Sequence, residues 1–318
     1  MVPGLTLVLF GCMVLLWIPL PSPTILRKAF YDFCHLPLFG GVAMILLYLA
    51  RQLGDPRGWS VGSQYGLAFI GAVVLGALAE GVQFFSSTRF AEWSDLLLDV
   101  LGAVGALGLS LTYDPRFTGP VAIWRVAPRK QLVHAGVGLL VVIALSPVLV
   151  WSYAYWDRAV RFPSLVQFSS SWEMMFVKGR DSALQIVPSP LGWGKPRVDT
   201  VGHVVFYPKH YPGIRLKEPY PDWRGFSRFH FEVYSELPRV QSLVIGIHDA
   251  QHNNDYADRF NRVITISPGL NHINIPLDDI RHAPVGRELD LRAIKAIRLF
   301  AISPPEEFSL YVDNFRLE

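Results

Sequence analysis

The stretch LVHAGVGLLVVIALSPVLVW, residues 132–151, determines how this chain is organised. It carries no Asp, Glu, Lys or Arg, and it is as long as a helix that crosses a bilayer, which needs about 20 residues. Residues 1–153 hold nine Lys and Arg and seven Asp and Glu, whereas residues 154–318 hold twenty and nineteen. The chain therefore divides into an apolar helical domain, residues 1–153, and a water-soluble domain, residues 154–318.

Four further apolar segments precede this stretch, at residues 5–20, 33–50, 65–85 and 95–111. Together they predict an α-helical transmembrane bundle of about five spans, with the lipid bilayer as a partner. The segment at 33–50 has one polar side chain of note, His35. The first segment has no basic residue before it and no small-residue cleavage site after it. We therefore expect a retained helix there rather than a cleaved signal peptide.

The basic residues of the loops predict the orientation of the bundle. Six lie in the loops after the second and fourth segments: Arg51, Arg57, Arg116, Arg125, Arg129 and Lys130. Three lie in the loops after the first and third segments: Arg27, Lys28 and Arg89. Cytoplasmic loops carry the excess of Lys and Arg. We therefore expect a cytoplasmic N-terminus and a C-terminal domain on the opposite side of the membrane.

Polar residues cluster around the loop between the third and fourth segments, in AEGVQFFSSTRFAEWSDLLLDVLG, residues 79–102. The candidates for function are Glu80, Gln83, Arg89, Asp95 and Asp99. The first two share one helix face, the two aspartates share another, and antiparallel helices can bring these faces together. Ionisable residues inside a membrane are costly and are candidates for function. The structural alternative is that the same side chains only tie helices together.

This pattern resembles the VanZ-like family of small bacterial membrane proteins over residues 25–112. The matching residues are Glu80 and Gln83 one turn apart, then Arg89, then Asp95 opening a glycine-rich helix. The family has Asn where this chain has Asp99. The resemblance implies a multi-pass protein of the bacterial cell (inner) membrane. It also implies an accessory role in the envelope or in antibiotic response, since the family's namesake is linked to resistance to the glycopeptide teicoplanin.

The second domain has short runs of alternating apolar and polar residues, separated by turns rich in Pro and Gly. The runs are 203–207, 227–235, 242–249, 262–266, 272–277, 293–302 and 308–317. Such spacing predicts an all-β sandwich or jelly roll. Within 227–235, Phe229, Phe231 and Val233 are expected to face the core, because they alternate with polar residues.

Three segments resemble galactose-binding-like jelly rolls of carbohydrate-binding modules: WRGF (223–226), PGLNHINIPLDDI (268–280) and YVDNFRL (311–317). This resemblance implies a glycan or cell-wall polymer as a partner. It also implies that Asp313 helps to hold a structural calcium ion; the alternative is an ordinary residue at a turn or sheet edge. No other cofactor is expected.

The segment HDAQHNNDYADR, residues 248–259, is the most polar loop. Carboxylates and amides suit sugar hydroxyls, and an aromatic ring can stack on a sugar face. The candidate ligand-binding residues are His248, Asp249, His252, Asn253, Asp255, Tyr256 and Arg259. A solvated loop and a metal site are the alternatives. A second cluster, equally suited to lipid headgroups, anionic glycans or an ordinary surface, comprises Trp193, Lys195, Arg197, Lys209, His210 and Tyr211.

Three functions compete. The first is an accessory protein whose outer domain binds an envelope polymer. The second is a membrane-embedded enzyme acting on a lipid-linked or cell-wall substrate, with Glu80 or Asp95 as general acid or base and Arg89 holding an anionic group. The third is a small transporter. A net charge of +3, mixed in sign, does not suggest a nucleic-acid partner, and no common hydrolase, nucleotide-binding or zinc-protease motif occurs.

Overall fold

The computed structural model describes residues 24–84 and 93–318. The chain divides into two compact units, Met1–Ser152 and Tyr153–Glu318. The apolar segment predicted at residues 5–20 lies outside the described residues, as do Arg89 and Glu92.

Four long helices are described: α1 (Ile25–Gly54), α2 (Val61–Phe84), α3 (Trp93–Tyr113) and α4 (Arg129–Arg161). In the described part of the chain, these four are long and apolar enough to cross a membrane. They contain the segments predicted from residue 33 onward, apart from Phe85, which lies outside the described residues. Helix α4 continues well past its predicted end at 151, and an ion pair of 3.0 Å between Asp157 and Arg161, one turn apart, stabilises its last turns.

A close contact between α1 and α3 organises the helical unit. A Cβ atom built on Gly102 of α3 would lie 2.2 Å from the backbone oxygen of Leu36 in α1 and 3.2 Å from the amide nitrogen of Gly40. Only glycine permits this approach, which is how small residues commonly serve helix pairs in membranes. Around the contact lies an apolar core that includes Phe39 and Ala103.

The second unit contains eleven strands in its described residues, with two further short helices, α5 (Ser171–Met174) and α6 (Leu277–Arg281). The strands are β1 (Ser164–Val166), β2 (Val177–Arg180), β3 (Ser182–Pro188), β4 (Thr200–Phe206), β5 (Gly213–Lys217), β6 (Arg228–Ser235), β7 (Gln241–Asp249), β8 (Phe260–Ile266), β9 (Gly269–Pro276), β10 (Ile294–Phe300) and β11 (Phe308–Leu317).

The strands form two antiparallel sheets packed as a sandwich. One sheet has six strands in the order β3-β4-β11-β6-β9, with β1 also pairing with β11. The other has five, in the order β2-β5-β10-β7-β8. Phe229, Phe231 and Val233 are fully buried between the sheets, which confirms the predicted core face of β6.

The polar face of β6 is less exposed to solvent than the alternation of its residues predicts. His230 and Glu232 point away from the core, yet they are only 5% and 8% exposed. Lys195, from the connection between β3 and β4, lies against Glu232, while Trp193 of the same connection stacks on the ring of Tyr234. The outer side of the six-stranded sheet is therefore partly covered by this connection.

Candidate functional site

The helical unit places His35 of α1 against the two aspartates of α3. His35 Nδ1 lies 2.8 Å from Asp99 Oδ1, and His35 Nε2 lies 3.9 Å from Asp95 Oδ2. Asp99 is 1% exposed, and a Cβ atom on Gly76 of α2 would lie 2.9 Å from its Oδ2. The charge of Glu80, also on α2, acts on His35. Helices α1 and α3 thus bring one imidazole beside two carboxylates, and α2 adds a third carboxylate whose charge acts on it.

Two of the predicted residues near this cluster are not part of the described geometry. Arg89 lies outside the described residues, and the side chain of Gln83 does too. Conversely, His35 was not among the predicted site residues. Its signal in the sequence was its position as a titratable residue within an apolar segment, which is uncommon without a function or a polar partner.

At the other ends of α1 and α3, two arginines hold one carboxylate. Arg51 Nη2 and Arg116 Nη2 donate hydrogen bonds of 2.8 Å and 2.9 Å to Asp114 Oδ2, and Tyr65 donates one of 3.2 Å. The hydrogen bonds from Arg116 lower the pKa of Asp114 to about 2. These two arginines were interpreted from the sequence only as markers of orientation, but they also join the helix ends.

In the second unit, much of the segment 248–259 is engaged in its own structure. The fully buried carboxylate of Asp249 accepts hydrogen bonds of 2.6 Å and 2.9 Å from Arg287, which also pairs with Asp258. Asp258 in turn accepts a hydrogen bond of 2.8 Å from the amide of Asn253, and Asp255 accepts one of 3.2 Å from the amide of a following residue. These contacts fix the loop.

The remaining predicted residues lie toward the outer side of the five-stranded sheet. The ring of His252 lies 4.6 Å from that of His248, which is at the end of β7. Arg259 stacks on Tyr256, with its guanidinium carbon 5.3 Å from the ring centre, and its charge acts on Arg298 of β10. The loop therefore borders a larger surface, and the strands of the five-stranded sheet contribute most of the side chains on it.

That surface is crossed by one row of paired residues, one from each strand: Lys178, Arg215, Arg298, Gly246 and Asn261. Their neighbours along β5, β7 and β10 are buried in the core, so alternation directs this row outward. With about 4.8 Å between strands, the row is roughly 19 Å long. Six basic side chains share this surface, which we call the basic face: Lys178, Arg180, Arg215, Lys217, Arg259 and Arg298.

The arginines of the basic face are partly buried, and some of their buried N–H groups lack a hydrogen-bond acceptor among the described residues. Among the described residues, the Nε atoms of Arg215, Arg259 and Arg298 are buried and donate no hydrogen bond. Burial, followed by the charges of Arg215, Arg259 and Arg180, lowers the pKa of Arg298 to about 10. The guanidinium groups remain charged at neutral pH and repel one another. A bound anion would remove this repulsion and satisfy the buried donors.

Hydrogen-bond acceptors accompany these donors. His248 Nδ1 lies 3.1 Å from the carbonyl oxygen of Asp249, so this nitrogen carries the proton and Nε2 is an acceptor. Burial lowers the pKa of His248 to about 4, which keeps the imidazole neutral. His248 Nε2 and Asn261 Oδ1 are both buried and, within the described parts of the chain, accept no hydrogen bond. Hydroxyl groups are suitable donors for them.

Aromatic rings lie beside the same surface. Phe300 follows Arg298 by two residues on β10, and the ring of Tyr211 contacts it edge-on at 5.8 Å. Tyr211 and Tyr256 are 41% and 67% exposed. Exposed aromatic rings offer apolar faces on which sugar rings can stack.

The cluster predicted from Trp193 to Tyr211 does not form one surface. Trp193 and Lys195 contact the six-stranded sheet, whereas Tyr211 contacts Phe300 of the five-stranded sheet. Lys195 also pairs with Asp313, the predicted calcium ligand. Burial raises the pKa of Asp313 in spite of this ammonium group. A calcium ion at Asp313 stays a prediction.

Comparisons with known proteins give similarities of fold only. No family profile matches the chain, and no curated protein does. An exo-beta-agarase structure is 18% identical with a TM-score of 0.40, over 49% of this chain and 24% of the agarase chain. A family 11 carbohydrate-binding module from Clostridium thermocellum is 18% identical with a TM-score of 0.34, over 45% of this chain and 88% of the module. A xylan-binding domain from Paenibacillus barcinonensis is 16% identical with a TM-score of 0.33, over 48% of this chain and 96% of that domain.

Proposed function

We propose that the C-terminal unit binds an anionic glycan on its basic face, and that the helical unit anchors it in a bacterial cell membrane with this face outside the cytoplasm. The observation that carries the proposal is that the buried Nε donors of three arginines lie beside two buried acceptors, and that none of these atoms has a hydrogen-bond partner among the described residues. Arginines recognise carboxylate or phosphate groups, and the neutral His248 and Asn261 recognise hydroxyls. A polymer that carries both groups is an acidic polysaccharide.

The shape of the surface supports a polymer rather than a small molecule. The row from Lys178 to Asn261 runs across all five strands and meets both edges of the sheet. Exposed tyrosines lie beside it, where they can stack on successive sugar rings. A long chain can lie along such a row and place several anionic groups on it.

Apolar length and the distribution of basic residues support the membrane anchor. The described part of the chain has four helices with the length and composition of spans. Arg51 and Arg116 lie at the same helix ends, where the sequence predicts the cytoplasmic side. A VanZ-like anchor that displays a glycan-binding domain fits an accessory role in the envelope.

The test is a binding measurement on the full chain in detergent. Polygalacturonate supplies a carboxylated glycan, and dextran supplies a neutral one. We expect Arg298→Gln to weaken polygalacturonate binding roughly tenfold or more, since charged hydrogen bonds are lost. Arg228→Gln, an exposed arginine on the other sheet, is the matched control. Equal binding of the two variants, or binding of dextran alone, would refute the proposal.

The contact between His35 and Asp99 favours a second candidate, a membrane-embedded enzyme. A carboxylate at 2.8 Å orients an imidazole, as a general base requires. We would compare Glu80→Gln and Asp95→Asn with wild type for folded yield and for glycopeptide sensitivity of the host. Normal yield with a lost phenotype supports a functional cluster. Collapsed yield shows that these carboxylates hold the helices together.

A further inference from the structure

A separate group of side chains lies on the outer face of the six-stranded sheet. His230 and Glu232 are two residues apart on β6, so their side chains share its outer face. His272 of β9 lies directly opposite Glu232. Glu232 Oε1 lies 3.8 Å from His230 Nε2 and 3.7 Å from His272 Nδ1. One possible ligand atom from each of the three residues lies within 4.8 Å of those of the other two. Ligands of a tetrahedral zinc ion at their usual bond lengths are about 3.3 Å apart, so small side-chain movements suffice.

A hydrogen bond fixes His230 in the tautomer whose Nε2 is available to bind a metal. His230 Nδ1 lies 2.9 Å from Asn274 Oδ1, an amide oxygen that can only accept a hydrogen bond. The proton is therefore on Nδ1, and Nε2 carries a lone pair. This Nε2 is buried, it points toward Glu232 and His272, and it has no hydrogen-bond partner among the described residues. An outer hydrogen bond that fixes the free ring nitrogen is usual for histidine ligands of metals.

The second oxygen of Glu232 is held separately. Lys195 Nζ lies 2.9 Å from Oε2, while Asn314 donates a hydrogen bond of 3.2 Å to Oε1. The carboxylate is thus oriented with Oε1 toward the histidines. His272 is more than half exposed, so it can move inward and leaves an open position for water.

We propose that His230, Glu232 and His272 bind one divalent transition metal ion, with zinc the best match. Two imidazole nitrogens and one carboxylate oxygen, with one open position, suit zinc chemistry. The bound ion joins β6 to β9. This site is on the opposite sheet from the basic face, so it does not depend on the proposed glycan binding.

The test is a metal titration of the full chain in detergent, purified without a polyhistidine tag and stripped of metal. Cobalt(II) is the spectroscopic probe, and zinc is the competitor. We expect one equivalent of cobalt with tetrahedral absorption bands, displaced by zinc, and a zinc-dependent rise in Tm. His272→Gln should weaken binding by about tenfold or more. It changes an exposed residue, so the fold should persist.

His210→Gln is the matched control, since His210 is an exposed histidine whose Nδ1 lies 3.0 Å from the hydroxyl of Ser303 in a loop. It should bind metal as the wild type does. Absence of stoichiometric cobalt binding by the wild type would overturn the proposal. So would a His272→Gln variant that binds as tightly as the wild type.

Discussion

His248 shows how strongly the surroundings of one side chain change its chemistry. Its ring is buried beside His252, and the charges of Arg215 and Arg298 also act on it. Burial first, and these charges after it, hold the pKa of His248 at about 4, below the ordinary value of 6.5. The unfolded chain therefore takes up a proton between these pH values that the folded chain does not. The neutral His248 therefore contributes to the free energy of unfolding. This contribution is complete above pH 6.5 and is lost as the pH falls toward 4.

We therefore expect His248→Gln to reduce the pH dependence of unfolding. Between pH 6.5 and 5, the wild type should lose roughly 2 kcal/mol more than the variant. The measurement is the free energy of unfolding of the C-terminal unit at the two pH values. His282→Gln, at an exposed histidine, serves as control and should behave as the wild type. The same slope in all three proteins would contradict the assignment.

Gly102 is the residue on which the contact between α1 and α3 depends. A Cβ atom there would lie 2.2 Å from a backbone oxygen, which cannot move alone. We expect Gly102→Ala to destabilise the helical unit by about 1 to 3 kcal/mol, the usual cost of overpacking. Gly41→Ala on α1, where no atom lies within 4 Å of the added Cβ, should be neutral or slightly stabilising. Thermal unfolding in detergent compares the two, and equal Tm values would show that the helices separate at little cost.

Among the elements, seven of the eleven strands described in the second unit were predicted from their apolar pattern. Strand β11 matches its predicted bounds, 308–317, because apolar residues recur along it, although an irregularity between Asp313 and Arg316 interrupts their alternation. Strands β1, β2, β3 and β5 were missed. In β2 and β5, the sequences VKGR and GIRLK are short, and six of their nine residues are basic or glycine. The arginines and lysines that obscure these strands are also those that build the basic face.

The candidate site was only partly predictable for a related reason. The sequence indicated the segment 248–259 by its polarity, and that segment does border the basic face. The row itself joins five strands that are distant in sequence, and it exists only once their register is set. No local pattern could reveal that Arg215 and Arg298 lie opposite each other.

The last turns of α4 are part of the packing of the second unit. The ring of Tyr155 packs edge-on against Phe176 at 5.2 Å, and its hydroxyl donates a hydrogen bond to Glu218. We expect Tyr155→Ala to destabilise this unit by roughly 2 kcal/mol, because Tyr155 is only partly buried and full truncation of a core aromatic residue costs about 3 kcal/mol or more. Val160→Ala on the same helix, at a residue 65% exposed, should change little. Denaturant unfolding followed by tryptophan fluorescence compares them; a small effect of both would exclude α4 from this packing.

For the molecule as a whole, the net charge hides an uneven distribution. The chain carries only +3. Yet six basic side chains share one face of one sheet, while many other basic residues are paired with acids, as Arg239 is with Glu306. Composition therefore excluded a strongly basic protein without excluding a local anion-binding surface. Function at this level depends on where the charges lie rather than on their sum.

The proposed topology gives a prediction for intact cells. With Cys12 and Cys34 replaced by serine, Val198→Cys places a thiol at a residue 85% exposed in the second unit. A membrane-impermeant maleimide should label it in intact cells. Arg129→Cys, at the predicted cytoplasmic start of α4, should be labelled only after permeabilisation. The reverse pattern would place the C-terminal unit in the cytoplasm.

Under the proposed glycan binding, the row across the five-stranded sheet predicts a preference for polymers of high linear charge density. Arg215 and Arg298 lie opposite each other on adjacent strands, and adjacent strands are about 4.8 Å apart. A polymer along the row runs perpendicular to the strands. One whose anionic groups recur at a period near that spacing can engage both arginines at once, whereas one with a much longer period engages only one. Densely substituted polyanions should therefore displace sparsely substituted ones, even when their sugars are the same.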